Sequence, residues 1–138
     1  MARFERPQRI RFAHCDPAGI VFFPQYFVLF NGLVEDWVSD ALGIRYAGLI
    51  TERRIGLPIV KLDCEFTAVS RLGDEVTLAL AVQRIGRSSL TLQLECSGPA
   101  DLRLRMTQVL VTTNLDTHRA VALPDDLRAA MLRFEHAD

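Results

Sequence analysis

The sequence predicts an α+β fold: a curved antiparallel sheet of about five strands wrapped around one long central helix. Two observations predict it. Between Pro24 and Gly43 the residues Tyr26, Phe27, Phe30, Leu33, Val34, Trp37, Val38, Ala41 and Leu42 recur at steps of three and four, the helical period. After Pro58 four segments alternate apolar and polar residues with period two, separated by short turns, as half-buried antiparallel strands do. A helix with so wide an apolar arc needs covering on most sides, and a curved sheet can supply that cover.

In chain order, Arg9–Ala13 reads as a short strand, with Ile10 and Phe12 alternating against Arg9 and Arg11. A loop follows, marked by Pro17 and Gly19. Pro24 suits the first turn of the central helix, where its missing N–H costs nothing, and Gly43 suits the position just past its end. Ile44–Gly56 is irregular, with a short helix over Tyr46–Glu52. Ile59–Ala68 places Val60, Leu62, Cys64 and Phe66 on one side and Lys61, Asp63, Glu65 and Thr67 on the other. After an Arg71–Asp74 turn, Val76, Leu78, Leu80 and Val82 form the apolar side of the next strand. Leu90, Leu92, Leu94 and Cys96 do so in the one after, and Leu102–Asn114 is the longest strand expected. Leu123–Glu135 closes as a helix with a stripe of Leu127, Ala130, Met131 and Phe134.

Composition narrows the function. The 138 residues read as one domain, 1–138, and a hydrophobic content of 49% against 24% charged residues fits a packed core and not a disordered chain. The net charge of −1 lacks the basic balance of a nucleic-acid binder, so no nucleic-acid partner is expected. No apolar run reaches the ~18 residues of a membrane span, and the N-terminal stretch through Phe12 lacks the apolar segment of a signal peptide. A cytoplasmic location is expected. Cys15, Cys64 and Cys96 lie too far apart for a metal-ligand pair or a disulfide framework, and His118 and His136 read as exposed turn and tail residues. No metal is expected.

The chemistry concentrates before the central helix. Asp16 lies in a Cys-Asp-Pro-Ala-Gly loop next to a helix N-terminus, whose free N–H groups carry partial positive charge and can stabilise an oxyanion. The alternative reading of Asp16 is turn chemistry, common for Asp before Pro-Ala-Gly. Asn31 is a polar residue on an apolar stretch and needs a partner: a ligand, a subunit or a backbone group.

Asp16-Pro17-Ala18-Gly19-Ile20-Val21-Phe22-Phe23-Pro24-Gln25-Tyr26, the long apolar helix and Gly56-Leu57-Pro58-Ile59-Val60 together resemble the hot-dog-fold acyl-CoA thioesterases. The similarity is greatest to their 4-hydroxybenzoyl-CoA branch and covers nearly the whole chain. The resemblance implies hydrolysis of an aromatic or medium-sized acyl-CoA at the interface of two subunits, with no cofactor beyond the CoA of the substrate. It implies that Asp16 is the nucleophile or the general base, and that the Phe23 backbone N–H polarises the carbonyl. It places Gly56, Leu57 and Pro58 near the acyl group, and Arg84, Arg87, Ser88 and Ser89 at the CoA nucleotide. It implies a homodimer or a dimer of dimers. Asn31 stands where the nearest relatives carry a carboxylate for the substrate hydroxyl, Leu57 where they carry Thr, and Phe23 where Tyr is common. The acyl pocket is therefore expected to be more apolar. The alternative is a non-catalytic hot-dog protein that binds acyl-CoA or acyl carrier protein; a dehydratase would want a His and an acid in one site, for which only His14 is near.

Overall fold

The computed structural model describes residues 2–136. The domain expected over 1–138 is described within those limits, and residues 1, 137 and 138 lie outside them. Five strands form the main sheet: β1 (Phe4–Arg9), β3 (Ile59–Phe66), β4 (Glu75–Ile85), β5 (Ser89–Ser97) and β6 (Leu102–Val111), in the order β1-β4-β5-β6-β3, all pairs antiparallel. The central helix α1 (Pro24–Asp36) is continued by a π turn over Trp37–Ala41, and α3 (Asp125–His136) closes the chain. A short α2 (Tyr46–Thr51) precedes an unanticipated small sheet of β2 (Ile55–Gly56), β7 (Thr113–Asn114) and β8 (Arg119–Ala120). The α+β architecture expected from the sequence is the one found. Among the described residues, no helix is long and apolar enough to cross a membrane.

Period-two alternation succeeds in the middle of the sheet. Val76, Leu78, Leu80 and Val82 of β4 are buried, as are Leu90, Leu92, Leu94 and Cys96 of β5. They face Tyr26, Phe30, Leu33, Val34, Trp37 and Val38, the buried stripe of α1 and its continuation. Pro24 is the first residue of α1, and Gly43, just past its end, has φ +72°, the left-handed conformation that glycine adopts without strain. Phe134 packs edge-on against Trp37 with ring centres 5.6 Å apart, which docks α3.

Four expectations are corrected. The first strand is Phe4–Arg9, not Arg9–Ala13: Phe12–His14 form a 3-10 turn and Phe12 is 74% exposed. Pro7 hid this strand, because proline is tolerated only at a sheet edge, where β1 lies. Second, β3 and β4 are not partners; β6 and β5 lie between them, and the residues from Thr67 to Asp74 form a crossover instead of a hairpin. Third, β3 does not bury its apolar side. Val60, Leu62 and Phe66 are exposed in the single chain because β3 is the other sheet edge and extends beyond the cover of α1. Fourth, β4 is the longest strand, since β6 ends at Val111 and the chain bends into β7. The sheet also covers only one face of α1, leaving Phe23, Val28 and Asn31 exposed.

Candidate active site

The loop before α1 folds as a closed hairpin. The Phe22 N–H donates to the His14 carbonyl, Cys15 bridges Val21, and the Asp16 N–H donates to the Ile20 carbonyl. At its tip Asp16-Pro17-Ala18-Gly19 makes a β-turn: the Gly19 N–H donates to the Asp16 carbonyl at 3.0 Å, and Gly19 takes φ +78°. Asp16 Oδ1 accepts from the Ala18 N–H at 2.8 Å. One carboxylate oxygen is therefore held by the turn. Both readings of Asp16, turn residue and reactive carboxylate, are compatible with this, since the turn fixes the group without consuming its second oxygen. Among the described residues the Phe23 N–H has no acceptor, and Pro24 after it has no N–H at all. The first free donor of α1 therefore lies one residue beyond the hairpin that carries Asp16.

The crossover backs this loop. Ser70 accepts from the Val21 N–H, the Leu72 N–H donates to Gly19, and Ile20 bridges Arg71. The crossover is itself pinned. Tyr26 Oη donates to Ser70 Oγ at 2.8 Å, and the buried Arg103 donates to the Val69 carbonyl, to Ser70 Oγ and to Asp74 Oδ2. Gly98 leaves the room Arg103 needs, because a Cβ there would lie 2.2 Å from its guanidinium. Hydrogen bonds from the Arg71 N–H and from Arg103 hold the Asp74 carboxyl below its ordinary value, while burial pushes the Tyr26 phenol up. Burial, helped by Arg11, keeps the His14 imidazole low, and its Nδ1 already accepts from the Arg11 N–H. Sequence reasoning missed Arg103. It stands in the polar phase of β6, between Leu102 and Leu104, yet is buried next to the point where β5 and β6 slip register at Ser97, a bulge invisible in one sequence.

Beside the crossover, Ile20, Phe23, Tyr26 and Phe66 line an apolar pocket of about 290 Å³. The rings of Phe23 and Phe66 meet edge-on, 6.3 Å apart. A second, larger groove of about 590 Å³ opens between α1 and the start of β3, and it brings together Asn31, Leu57 and Pro58. Glu35, Tyr46 and Gln108 also line it, so the groove is more polar than the sequence suggests. Gly56 is buried next to it, closed in by Leu115, whose Cδ2 would lie 2.7 Å from an added Cβ.

Arg84 near the end of β4, Arg87 and Ser88 in the β4–β5 turn and Ser89 at the start of β5 come together at one end of the sheet. The backbone of the turn is anchored: Arg87 accepts from the Leu123 N–H and from Arg128, and Ser88 accepts from Thr112. Among the described residues neither the Arg84 nor the Arg87 guanidinium forms an ion pair. Arg128, on α3, adds a third cation that nothing in the local sequence announces.

These groups occupy two ends of one chain. Asp74 at the start of β4 belongs to the Asp16 end, and the Arg84–Ser89 turn lies at the other end of this 11-residue strand, roughly 35 Å away. The groove shares the end of the turn, since Ile59 pairs with Leu110 and the Val111 N–H donates to the Pro58 carbonyl. Phe66, at the far end of β3, belongs with Asp16.

A family model for the thioesterase-like superfamily matches residues 10–131. The chain belongs to that superfamily. Among curated relatives it is 28% identical, over 86% of its length and 90% of theirs, to the 4-hydroxybenzoyl-CoA thioesterase of Pseudomonas sp. (strain CBS-3). It is 23% identical to the 1,4-dihydroxy-2-naphthoyl-CoA hydrolase of Synechocystis sp. (strain ATCC 27184 / PCC 6803 / Kazusa), with 99% of each covered. Among solved structures, an aspartate-to-asparagine mutant of 4-hydroxybenzoyl-CoA thioesterase complexed with 4-hydroxybenzoyl-CoA superposes with a TM-score of 0.85 at 25% identity, covering 95% of this chain and 99% of that one. The thioesterase-superfamily chain thus has the hot-dog fold expected from its sequence.

Proposed function

We propose that the chain hydrolyses aromatic acyl-CoA thioesters to the free acid and CoA, at sites shared by two copies. The observation that carries this is the rigid Asp16 turn set against an α1 N-terminus whose Phe23 N–H has no acceptor. A thioester carbonyl oxygen accepting that N–H gains a dipole-backed donor where negative charge develops. Asp16 then either attacks the carbonyl, expelling the CoA thiolate and leaving an anhydride for water to open, or takes a proton from the water that attacks. Both routes end in the carboxylic acid and the CoA thiol, and neither uses a metal or a redox cofactor. The aromatic acyl class rests on the relatives, which act on hydroxylated aromatic acyl-CoAs.

The shared site follows from edge chemistry. β1 is a guarded edge, with Pro7 inside it and Arg3, Arg6 and Arg9 along it. β3 is eight residues long and has no proline; Lys61, Asp63 and Glu65 alternate along it, but it also exposes apolar surface, with Val60 61% and Phe66 50% exposed. Two such edges paired antiparallel about a two-fold axis put the Phe66 end of one copy beside the Ile59 end of the other. Asp16 and Phe23 of one copy then face Asn31, Leu57 and Pro58 of its partner, with Arg84, Arg87, Ser88 and Ser89 at the same end to meet the CoA phosphates. A homodimer is the smallest active unit, and a dimer of dimers is compatible with it.

Release of CoA thiol from a panel of aromatic and aliphatic acyl-CoAs tests the reading. Wild type should turn over aromatic members. Asp16→Asn, which keeps the oxygen that accepts from Ala18, should remain folded and lose ~10²-fold or more in kcat. Acyl-CoA binding without turnover in the wild type would instead favour a non-catalytic carrier-binding protein. Near-wild-type rates in Asp16→Asn would remove Asp16 from the chemistry.

A further inference from the structure

The groove beside Asn31 contains one buried polar group that the described residues leave unanswered. Gln108 lies on β6 in the inward phase with Leu104, Met106 and Leu110, and it is 1% exposed. Among the described residues its buried carboxamide oxygen has no hydrogen-bond partner, and its nitrogen reaches only the Met106 sulfur, at 3.4 Å, a weak acceptor. Buried amides are normally paired, and an apolar residue of similar volume would satisfy the core better. Glutamine at this position therefore points to a ligand. The oxygen is buried, on a residue that lines the groove. The terminal torsion of glutamine is soft, so a small turn of the amide presents it to a group seated in the groove.

The geometry points to Gln108 as a specificity-determining residue that accepts a hydrogen bond from a hydroxyl on the ring of the acyl group. This rests on the hydrolysis proposed above and narrows its substrate. The partners set the polarity. Gln108 offers an acceptor, and Glu35, on the α1 wall of the same groove, offers a carboxylate. Tyr46 lines the wall too, and burial, reinforced by Glu35, holds its phenol protonated. A neutral hydroxyl donor suits this set, whereas an acyl group bearing its own carboxylate would meet Glu35 with like charge. Leu57 and Pro58 supply the apolar walls for the ring.

The test compares benzoyl-CoA with its monohydroxylated isomers, as ratios of kcat/KM, in the wild type and in Gln108→Leu. The wild type should prefer at least one hydroxylated isomer. Gln108→Leu should lower that preference about tenfold or more, because a site built to pair a hydroxyl rejects the analogue that lacks it and loses this discrimination when its own acceptor goes. If Gln108→Leu does not fold, Gln108→Met supplies the same loss of acceptor in a more adaptable side chain. A wild type that hydrolyses benzoyl-CoA with no preference for any isomer overturns the inference, and so does a preference that survives the substitution. Failure to hydrolyse any of these thioesters would strike the hydrolysis reading first and this inference with it, which separates the two failures.

Discussion

At the scale of single residues, the site is a contrast between groups the fold has already used and groups it has left free. Asp16 spends one oxygen on the Ala18 N–H, and Phe23 contributes a donor that Pro24 cannot duplicate. Arg87 spends its carbonyl on Leu123 and Arg128 while its guanidinium extends into solvent. A phosphate remote from the thioester is bound about equally in the ground and transition states, so Arg87→Ala should raise KM for acyl-CoA more than it lowers kcat. A truncated pantetheine thioester, which lacks the nucleotide phosphates, should show no such KM effect; an unchanged KM for the full substrate would make Arg87 a solvated charge. The turn that holds Asp16 was legible because Asp-Pro-Ala-Gly before an apolar helix is a strong local pattern. Gln108 was legible in principle, as a polar residue in the buried phase of β6. Arg103 was not, because its burial depends on a bulge and on Gly98, features of two paired strands.

At the scale of elements, sequence periodicity located α1, β4, β5 and α3 because each is covered on the side that its apolar residues occupy. It misplaced β1, where Pro7 broke the pattern and exposed Phe12 extended it falsely. It also expected β3 to be half-buried, since the alternation in a strand is the same whether its cover comes from its own chain or from a second copy. The crossover is the element that ties the sheet to the Asp16 loop, and its ion cluster gives it a pH signature. Asp74 has its carboxyl held below the ordinary value of 3.8, first by the Arg71 N–H and then by Arg103. A depressed carboxylate stabilises the fold above its ordinary pKa and loses that contribution as pH falls through the lower folded value. Asp74→Asn should therefore lower Tm at neutral pH and flatten the loss of Tm below about pH 4, in thermal melts stepped through the acid range. An acid limb as steep as that of the wild type would show that other carboxylates carry it.

At the scale of the whole molecule, one chain holds its candidate site residues at opposite ends of its sheet, and in the proposed dimer the exposed β3 edge is the seam that brings the groups of two copies together. Subunit mixing tests this most directly. Asp16→Asn removes the carboxylate, and Pro58→Trp fills the groove at the other end, so each variant alone should be inactive. A mixed dimer carries one site with both lesions and one with neither. Random reassembly of equal amounts should then restore about a quarter of wild-type activity, since half the dimers are mixed and each has one intact site of two. That recovery is the predicted result. No recovery despite demonstrated subunit exchange, or an active monomer in sedimentation, would contradict the shared site.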